Sequence, residues 1–192
     1  DLLGKEAGCE EEISQITSQA MRGELDFETS LRARVALLKS LPVSVFDTVI
    51  KSIHLSKNAQ EFISILQKKG ILVGLVSGGF APIVERLAKS LGISYFSANQ
   101  LEVKDGFLTG RLVGEIVTGQ VKQDTLEKWK KELKLPKERT IAIGDGANDL
   151  LMLKSAGRGI AFCAKEVVKT EIACHVDTRD FLEVLPLIDF LE

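Results

Sequence analysis

From Ser56 onward the chain alternates unbroken apolar runs with helical stripes, and this alternation limits the fold more than any other feature. Ala59, Phe62, Ile63 and Leu66 share one helix face, and Gly70 sits where a helix-ending glycine belongs. Ile71-Leu72-Val73-Gly74-Leu75-Val76 follows as a continuous apolar run, the pattern of a parallel strand covered on both faces. It ends in a Ser77-Gly78-Gly79 turn. The next helix has Pro82 near its first turn, Ile83, Leu87 and Leu91 on one face, and Gly92 as its stop. Tyr95-Phe96 opens a short strand. Residues 101–104 and 108–112 flank Asp105-Gly106, a strong hairpin signal. A helix over 121–133, with Leu126, Trp129 and Leu133 on one face, stops before Pro136. A strand over 141–144, a helix over 147–156, a strand over 159–163 and helices near 166–173 and 181–191 complete the chain. The alternation predicts an α/β protein with a doubly wound, open parallel sheet and helices on both faces.

Residues 1–56 read differently, as helices without a convincing strand. Ile13, Ile16 and Ala20 keep helical spacing from Glu10 to Arg22, and Gly23 ends that helix. Asp26 is placed to cap a helix carrying Leu31, Val35 and Leu38 on one face. After Pro42 and Ser44, Phe46, Val49, Ile50 and Ile53 form another stripe. The expected division is a small helical unit over 1–56 and an α/β core over 57–192 with a β-hairpin near 99–118. The helical unit is either a separate domain or an insert over the ligand-binding edge of the sheet.

A chain of 192 residues, 45% of them apolar, suffices for one domain with a small insert. With a net charge of -2 there is no basic excess to mark a nucleic-acid or anionic-membrane binder, so an anionic small substrate needs a local positive site. Cys9, Cys163 and Cys174 form no C-x-x-C pair and read as free thiols of a reducing compartment. No apolar run approaches the roughly 20 residues of a membrane helix, and no signal-peptide pattern is present. The expected location is the cytoplasm. The oligomeric state, monomer or homodimer, stays open.

The chemistry concentrates in Ile141-Ala142-Ile143-Gly144-Asp145-Gly146-Ala147-Asn148-Asp149. A glycine-bracketed Asp ends a strand, and a second Asp follows four residues later. Ligands of α/β proteins gather at the carboxyl ends of strands. Two carboxylates there suggest Mg²⁺, which takes oxygen ligands and few protein groups. A strand, a Gly-rich turn and an Asp helix cap would be written with the same residues. Ser77-Gly78-Gly79 offers backbone N–H groups before a helix, a place for an anion, although a tight βα turn needs the same glycines. Together the two loops describe a phosphate held between N–H groups and Mg²⁺. Lys122, early in the helix before the Asp145 strand, is placed to neutralise a phosphoryl oxygen or to be a solvated surface charge. Arg34 shares a face with Leu31, Val35 and Leu38 and either grips a carboxylate or snorkels to water. Met21 and Phe27 are core or pocket residues. His54 and His175 have no partner at ligand spacing and read as structural or surface residues.

Ser77-Gly78-Gly79-Phe80, Lys122 and Gly144-Asp145-Gly146-Ala147-Asn148-Asp149 resemble the second, third and fourth motifs of the haloacid dehalogenase (HAD) superfamily of phosphatases. Residues 20–27 and 30–35 resemble the helical cap of the phosphoserine phosphatase branch, and Ala161-Phe162-Cys163-Ala164-Lys165 also matches it. The resemblance spans essentially the whole chain. It implies a HAD-like, Rossmann-like core with a helical cap, and Mg²⁺-dependent hydrolysis of O-phospho-L-serine in serine biosynthesis through an aspartyl-phosphate. It implies Asp145 as a Mg²⁺ ligand, Asp149 supporting the metal from behind, and Asn148 helping to hold the site. Ser77, Gly78 and Gly79 would bind the phosphoryl group and Lys122 would neutralise its charge. Arg34 would clamp the substrate carboxylate, and Met21 and Phe27 would line the cap pocket. A phosphatase for another small phosphomonoester and a non-catalytic anion-binding relative are the alternatives. A nucleotide-binding reading lacks both G-x-G-x-x-G and G-x-x-x-x-G-K-[ST].

The chain departs from the resemblance in one respect. The family's first motif, Asp-x-Asp-x-Thr after an apolar strand, supplies the nucleophile and the acid/base, yet no Asp-x-Asp occurs in these 192 residues. The expectation is that this strand belongs upstream of Asp1, between the strands ending at Ser77 and Asp145, and that the chain alone has no turnover. Without it, both neighbours would hold buried unpaired backbone groups, each costing about 1–3 kcal/mol.

Overall fold

The computed structural model describes residues 2–188, apart from the side chain of Met21. The helices are α1 (Leu2–Ala7), α2 (Glu10–Met21), α3 (Phe27–Ala36), α4 (Val45–Lys51), α5 (Ala59–Lys68), α6 (Ala81–Ser90), α7 (Gly119–Glu132), α8 (Leu150–Ser155) and α9 (Glu166–Lys169). The strands are β1 (Gly74–Phe80), β2 (Tyr95–Lys104), β3 (Phe107–Val113), β4 (Ile141–Gly144), β5 (Arg158–Phe162) and β6 (His175–Val176). The chain divides into two compact units, and β1, α6 and β2 each pass from one to the other along the sequence.

The first unit comprises Asp1–Ile53, Ser77–Leu87 and Ser97–Ile116. Asp26 begins α3 as its sequence suggests: one carboxylate oxygen accepts from the Thr29 N–H at 2.9 Å and the other from the Thr29 hydroxyl. Leu31 and Val35 of α3 bury with Ile13, Phe46 and Val49 in one core. Leu101 and Leu108 of the hairpin join the same core. The hairpin turns at Asp105 (φ 52°) and Gly106 (φ 81°), two left-handed residues in succession, as a two-residue loop between right-twisted strands requires. Its second strand is stitched to the segment after α3. Ser40 N–H donates to the Leu108 carbonyl, and Leu108 N–H donates to that of Leu41, both at 2.8 Å. The hairpin, grouped in sequence with the α/β part, thus clusters with the front helices.

The second unit comprises His54–Val76, Ala88–Phe96 and Val117–Glu192. Strands β4, β5 and β6 run parallel in that order, with Ile141 opposite Arg158 and Ala161 opposite His175. Val168 and Leu153 bury against one set of β-strand side chains, and Phe62 and Val184 against another. Phe181 stacks on Phe162 at 4.3 Å and meets Phe62 at 5.4 Å. Helices on either side of a parallel sheet explain why these strands read as unbroken apolar runs.

Several boundaries differ from the sequence expectation. The apolar run over 71–76 enters its ladder only at Gly74, and β1 then continues through Ser77-Gly78-Gly79 to Phe80 because β2 pairs beside it. The Ser-Gly-Gly segment is therefore strand, where a turn was expected. Tyr95-Phe96 and residues 101–104 belong to one ten-residue strand. The last helix is a 3-10 segment, Phe181–Leu187, with Pro186 removing a backbone donor inside it; residues 189–191 of that expectation lie outside the described residues. Two-residue β6 carries no periodicity that a sequence reading detects.

Strands β1 and β4 are each the end strand of a separate three-stranded sheet. Within the second unit, residues 71–76 and 141–143 line a cavity of about 370 Å³. Among the described residues no helix is long and apolar enough to cross a membrane.

Candidate active site

Strand β4 delivers the chain to Asp145-Gly146, and a 3-10 turn over Ala147–Asp149 leads into α8. The turn folds Asp149 back under the loop. Its Oδ2 accepts the backbone N–H groups of Asp145 and Gly146, both at 3.1 Å, and its Oδ1 accepts from Lys122 Nζ at 2.6 Å. The Lys122 and Asp149 side chains are only 8% and 6% exposed. Two charges this dry hold each other in place, and removing one strands the other, a change that costs about 3–5 kcal/mol in comparable buried pairs. Gly144 makes room for this arrangement. A Cβ there would lie 2.6 Å from the Asp149 Cβ and 2.7 Å from its carboxyl carbon.

Lys122 reaches the pair because α7 starts where it does. The Thr118 hydroxyl caps the helix by accepting the Val121 N–H at 3.3 Å, and Lys122 N–H opens the helical ladder on the Thr118 carbonyl. Gly119 permits a close approach to the Asp145 loop, since a Cβ there would stand 3.1 Å from the Asn148 carbonyl oxygen. Neither Thr118 nor Gly119 was singled out in sequence. A Thr four residues before a Lys is a legible N-cap signal, but the sequence reading starts this helix at Val121, two residues after its first residue Gly119.

Asp145, four residues before Asp149, is its opposite in burial and in hydrogen bonding. Its side chain is exposed and has no hydrogen bond or ion pair among the described residues, while its backbone carbonyl accepts the Lys165 N–H at 3.0 Å. Asn148 is exposed beside it. One free carboxylate on a rigid turn suits Mg²⁺, which usually takes one or two carboxylates with waters and phosphate oxygens. An all-protein cage does not exist: no group of three His, Cys, Asp or Glu residues is placed to hold a metal among the described residues.

The other sequence candidates belong to the first unit. Ser77 Oγ accepts the Gly79 N–H at 3.0 Å, so the Gly79 donor expected to face an anion is engaged locally. The Gly78 carbonyl accepts from the Asn99 side chain at 2.8 Å, and Asn99, which the sequence did not flag, is fully buried. Phe27 opens α3 and is exposed. Arg34 is half-buried on the same helix; its Nε–H donates to the Ser30 carbonyl at 3.3 Å, and burial lowers its pKa from the ordinary arginine value. No carboxylate of the described residues pairs with it, which leaves the rest of its fork available to an anion. The side chain of Met21 lies outside the described residues.

The profile of the haloacid dehalogenase-like hydrolases matches residues 4–154. The chain belongs to that family. The phosphoserine phosphatase of Streptococcus thermophilus is 52% identical to it over 98% of this chain and 88% of its own length. A solved substrate-bound phosphoserine phosphatase complex superposes with a TM-score of 0.91 at 45% identity, covering 98% of this chain and 90% of that one. A phospho-aspartyl intermediate analogue of phosphoserine phosphatase superposes with a TM-score of 0.90, at the same identity and coverage.

Proposed function

We propose that this chain carries the phosphate-handling part of a Mg²⁺-dependent phosphatase whose substrate is O-phospho-L-serine and whose products are L-serine and inorganic phosphate. The observation that carries the reading is the buried Lys122–Asp149 pair beneath a free Asp145 at the carboxyl end of β4. It stands beside similarity to phosphoserine phosphatases over 98% of this chain. Lys122 brings one positive charge to a dry site, where a fixed charge stabilises a transferring phosphoryl group far better than in water. Asp149 orients that charge and, through two backbone N–H groups, fixes the loop that presents Asp145. Asp145 would hold Mg²⁺ with Asn148 beside it; when bound, the ion screens phosphoryl charge and orients the attack. Ser77 and Gly78 bind phosphoryl oxygens. Arg34 clamps the substrate carboxylate, with Met21 and Phe27 lining the pocket of a helical cap over residues 1–56, which explains a preference for an amino-acid phosphate.

In the reaction, an aspartate carboxylate attacks phosphorus, the serine oxygen leaves with a proton from a second aspartate, and water then cleaves the aspartyl-phosphate. Both aspartates come from a strand bearing Asp-x-Asp, a motif these residues lack. The compartment that fits three free thiols is the reducing cytoplasm. The test is phosphate release by the native protein. Mg²⁺-dependent turnover of O-phospho-L-serine in preference to a sugar phosphate, with the preference lost in Arg34→Ala, is the expected result. Equal turnover of both substrates by the unmodified protein rejects the substrate assignment, and turnover by the 192 residues alone rejects the missing-nucleophile reading.

A further inference from the structure

Asn99 is a costly residue where it stands. It lies inside β2, although Asn is a poor strand former, and only 1% of its surface is exposed. A buried amide is tolerated only when it is hydrogen-bonded, and an apolar side chain of the same shape would serve folding as well. Departures of this kind concentrate where function requires them. Asn99 belongs to the same unit as Ser77-Gly78-Gly79, and its Nδ2–H donates to the Gly78 carbonyl at 2.8 Å.

That carbonyl and the Gly79 N–H are the two ends of one planar peptide group. The N–H end donates to Ser77 Oγ at 3.0 Å. Asn99 thus grips one end of the peptide plane and Ser77 the other. A donor at the carbonyl polarises the peptide and strengthens the bond its N–H makes, so the two bonds reinforce each other. Gly79 admits this geometry, because a Cβ there would crowd Ser77 Oγ at 3.1 Å. A serine hydroxyl accepts through its lone pairs and has one proton to give. With the Gly79 N–H fixed on its oxygen, Ser77 is an acceptor on that side. Its own proton meets no acceptor among the described residues and is left to donate elsewhere.

We propose that Asn99 is a positioning residue, which acts through the Gly78–Gly79 peptide to hold Ser77 as a hydrogen-bond donor to a phosphoryl oxygen. Asn99 itself does not touch the substrate. The Ser77 hydroxyl makes the contact, and the Gly79 N–H is spent in aiming it. The inference rests on the phosphatase reading only in that the ligand is a phosphoryl group; which phosphomonoester carries that group does not enter.

The test is a double-mutant cycle on the native protein with Mg²⁺, read by calorimetric titration with inorganic phosphate. Asn99→Leu keeps the shape and the charge and removes the donor. Ser77→Ala and Asn99→Leu should each weaken phosphate binding about tenfold, the worth of one hydrogen bond to a charged group. The double variant should bind within about twofold of Ser77→Ala alone, because Asn99 has nothing left to position. A merely structural Asn99 would instead give additive losses. The Gly79 amide proton supplies a spectroscopic signature of the same bonds. It should be protected from exchange in the native protein and should move upfield in Ser77→Ala and, by less, in Asn99→Leu. Where Asn99→Leu does not fold, Asn99→Ala takes its place in the cycle, and the Gly79 signal of Ser77→Ala still decides. Additive losses, native phosphate affinity in the Asn99 variant, or a Gly79 signal that Ser77→Ala leaves unmoved each overturns the proposal. Failure of phosphoserine as the preferred substrate overturns only the substrate assignment, since inorganic phosphate reads the Ser77 contact whichever ester is turned over.

Discussion

Two aspartates of the second unit are anchored by nearly the same chemistry and serve different ends. Asp149 accepts from Lys122 and two backbone N–H groups. Asp180 accepts from Lys57 at 2.8 Å, from the Asn58 side chain at 2.8 and 3.0 Å, and from the Leu182 N–H at 3.0 Å. The difference lies in the lysine. Lys122 is 8% exposed, whereas Lys57 is 70% exposed. Asp180 ties the start of α5 to the C-terminal 3-10 segment with a charge that water can replace. Asp149 holds a charge that is almost sealed from water. The first arrangement is a fastener; in the phosphatase we propose, the second keeps a cation available at a strand end, where ligands of α/β proteins bind.

The largest effect expected from this contrast is that of Lys122→Met in the native protein. It leaves the Asp149 carboxylate buried with only two backbone donors. We expect about 3–5 kcal/mol loss of stability in urea unfolding. Turnover should fall at least about 10²-fold, as when one stabilising group is removed from a transition state. Full turnover in this variant would reduce Lys122 to a structural residue. Gly144→Ala comes next. Its methyl would press on the Asp149 carboxyl group, and overpacking of this kind costs about 1–3 kcal/mol. Turnover should fall with Lys122 chemically intact, which separates placement of the pair from its charge. An unchanged melt would show that the loop yields freely.

The contrast also shows what a sequence reading reaches. Lys122, Asp145 and Asp149 could be picked out as candidates because glycines, a strand end and a spacing of four residues are local signals, and the structure puts all three in one unit. The antiparallel hairpin was legible because Asp105-Gly106 needs two left-handed residues in a row. Asp180, Asn58 and Asn99 were not, since their partners lie 122, 122 and 21 residues away and ordinary surface residue types carry no periodicity. The hairpin's association with the front helices was hidden for the same reason. It rests on backbone bonds between Ser40, Leu41 and Leu108 that no side-chain pattern encodes. The extent of β1 through Ser77-Gly78-Gly79 was misread because glycines that suit a turn also suit a strand beside a close neighbour.

Acid gives a smaller and more selective effect. Hydrogen bonds from Lys57 first, then from Asn58 and Leu182, hold the Asp180 carboxyl below its ordinary pKa. A depressed folded pKa means stability that is present above the unfolded value, about 3.9, and is lost as pH falls toward the folded one. Between pH 5 and pH 3 the native protein should lose stability that Asp180→Asn has already lost, so the two melting curves converge in acid. Curves that stay parallel would show that other carboxylates control acid unfolding.

The smallest effect expected is that of Lys57→Met. Asp180 pairing raises the Lys57 pKa, so its stabilisation is present below the ordinary lysine value and fades only as pH rises through the raised one. An exposed ammonium is well hydrated without its partner, and Asp180 keeps Asn58 and the Leu182 N–H when Lys57 is gone. At neutral pH the variant should melt within a degree or two of the native protein, and moderate salt should narrow the gap further. A loss as large as that of Lys122→Met would break the contrast between fastener and functional pair, because it would show that solvent exposure of the lysine does not set the strength of these two anchors.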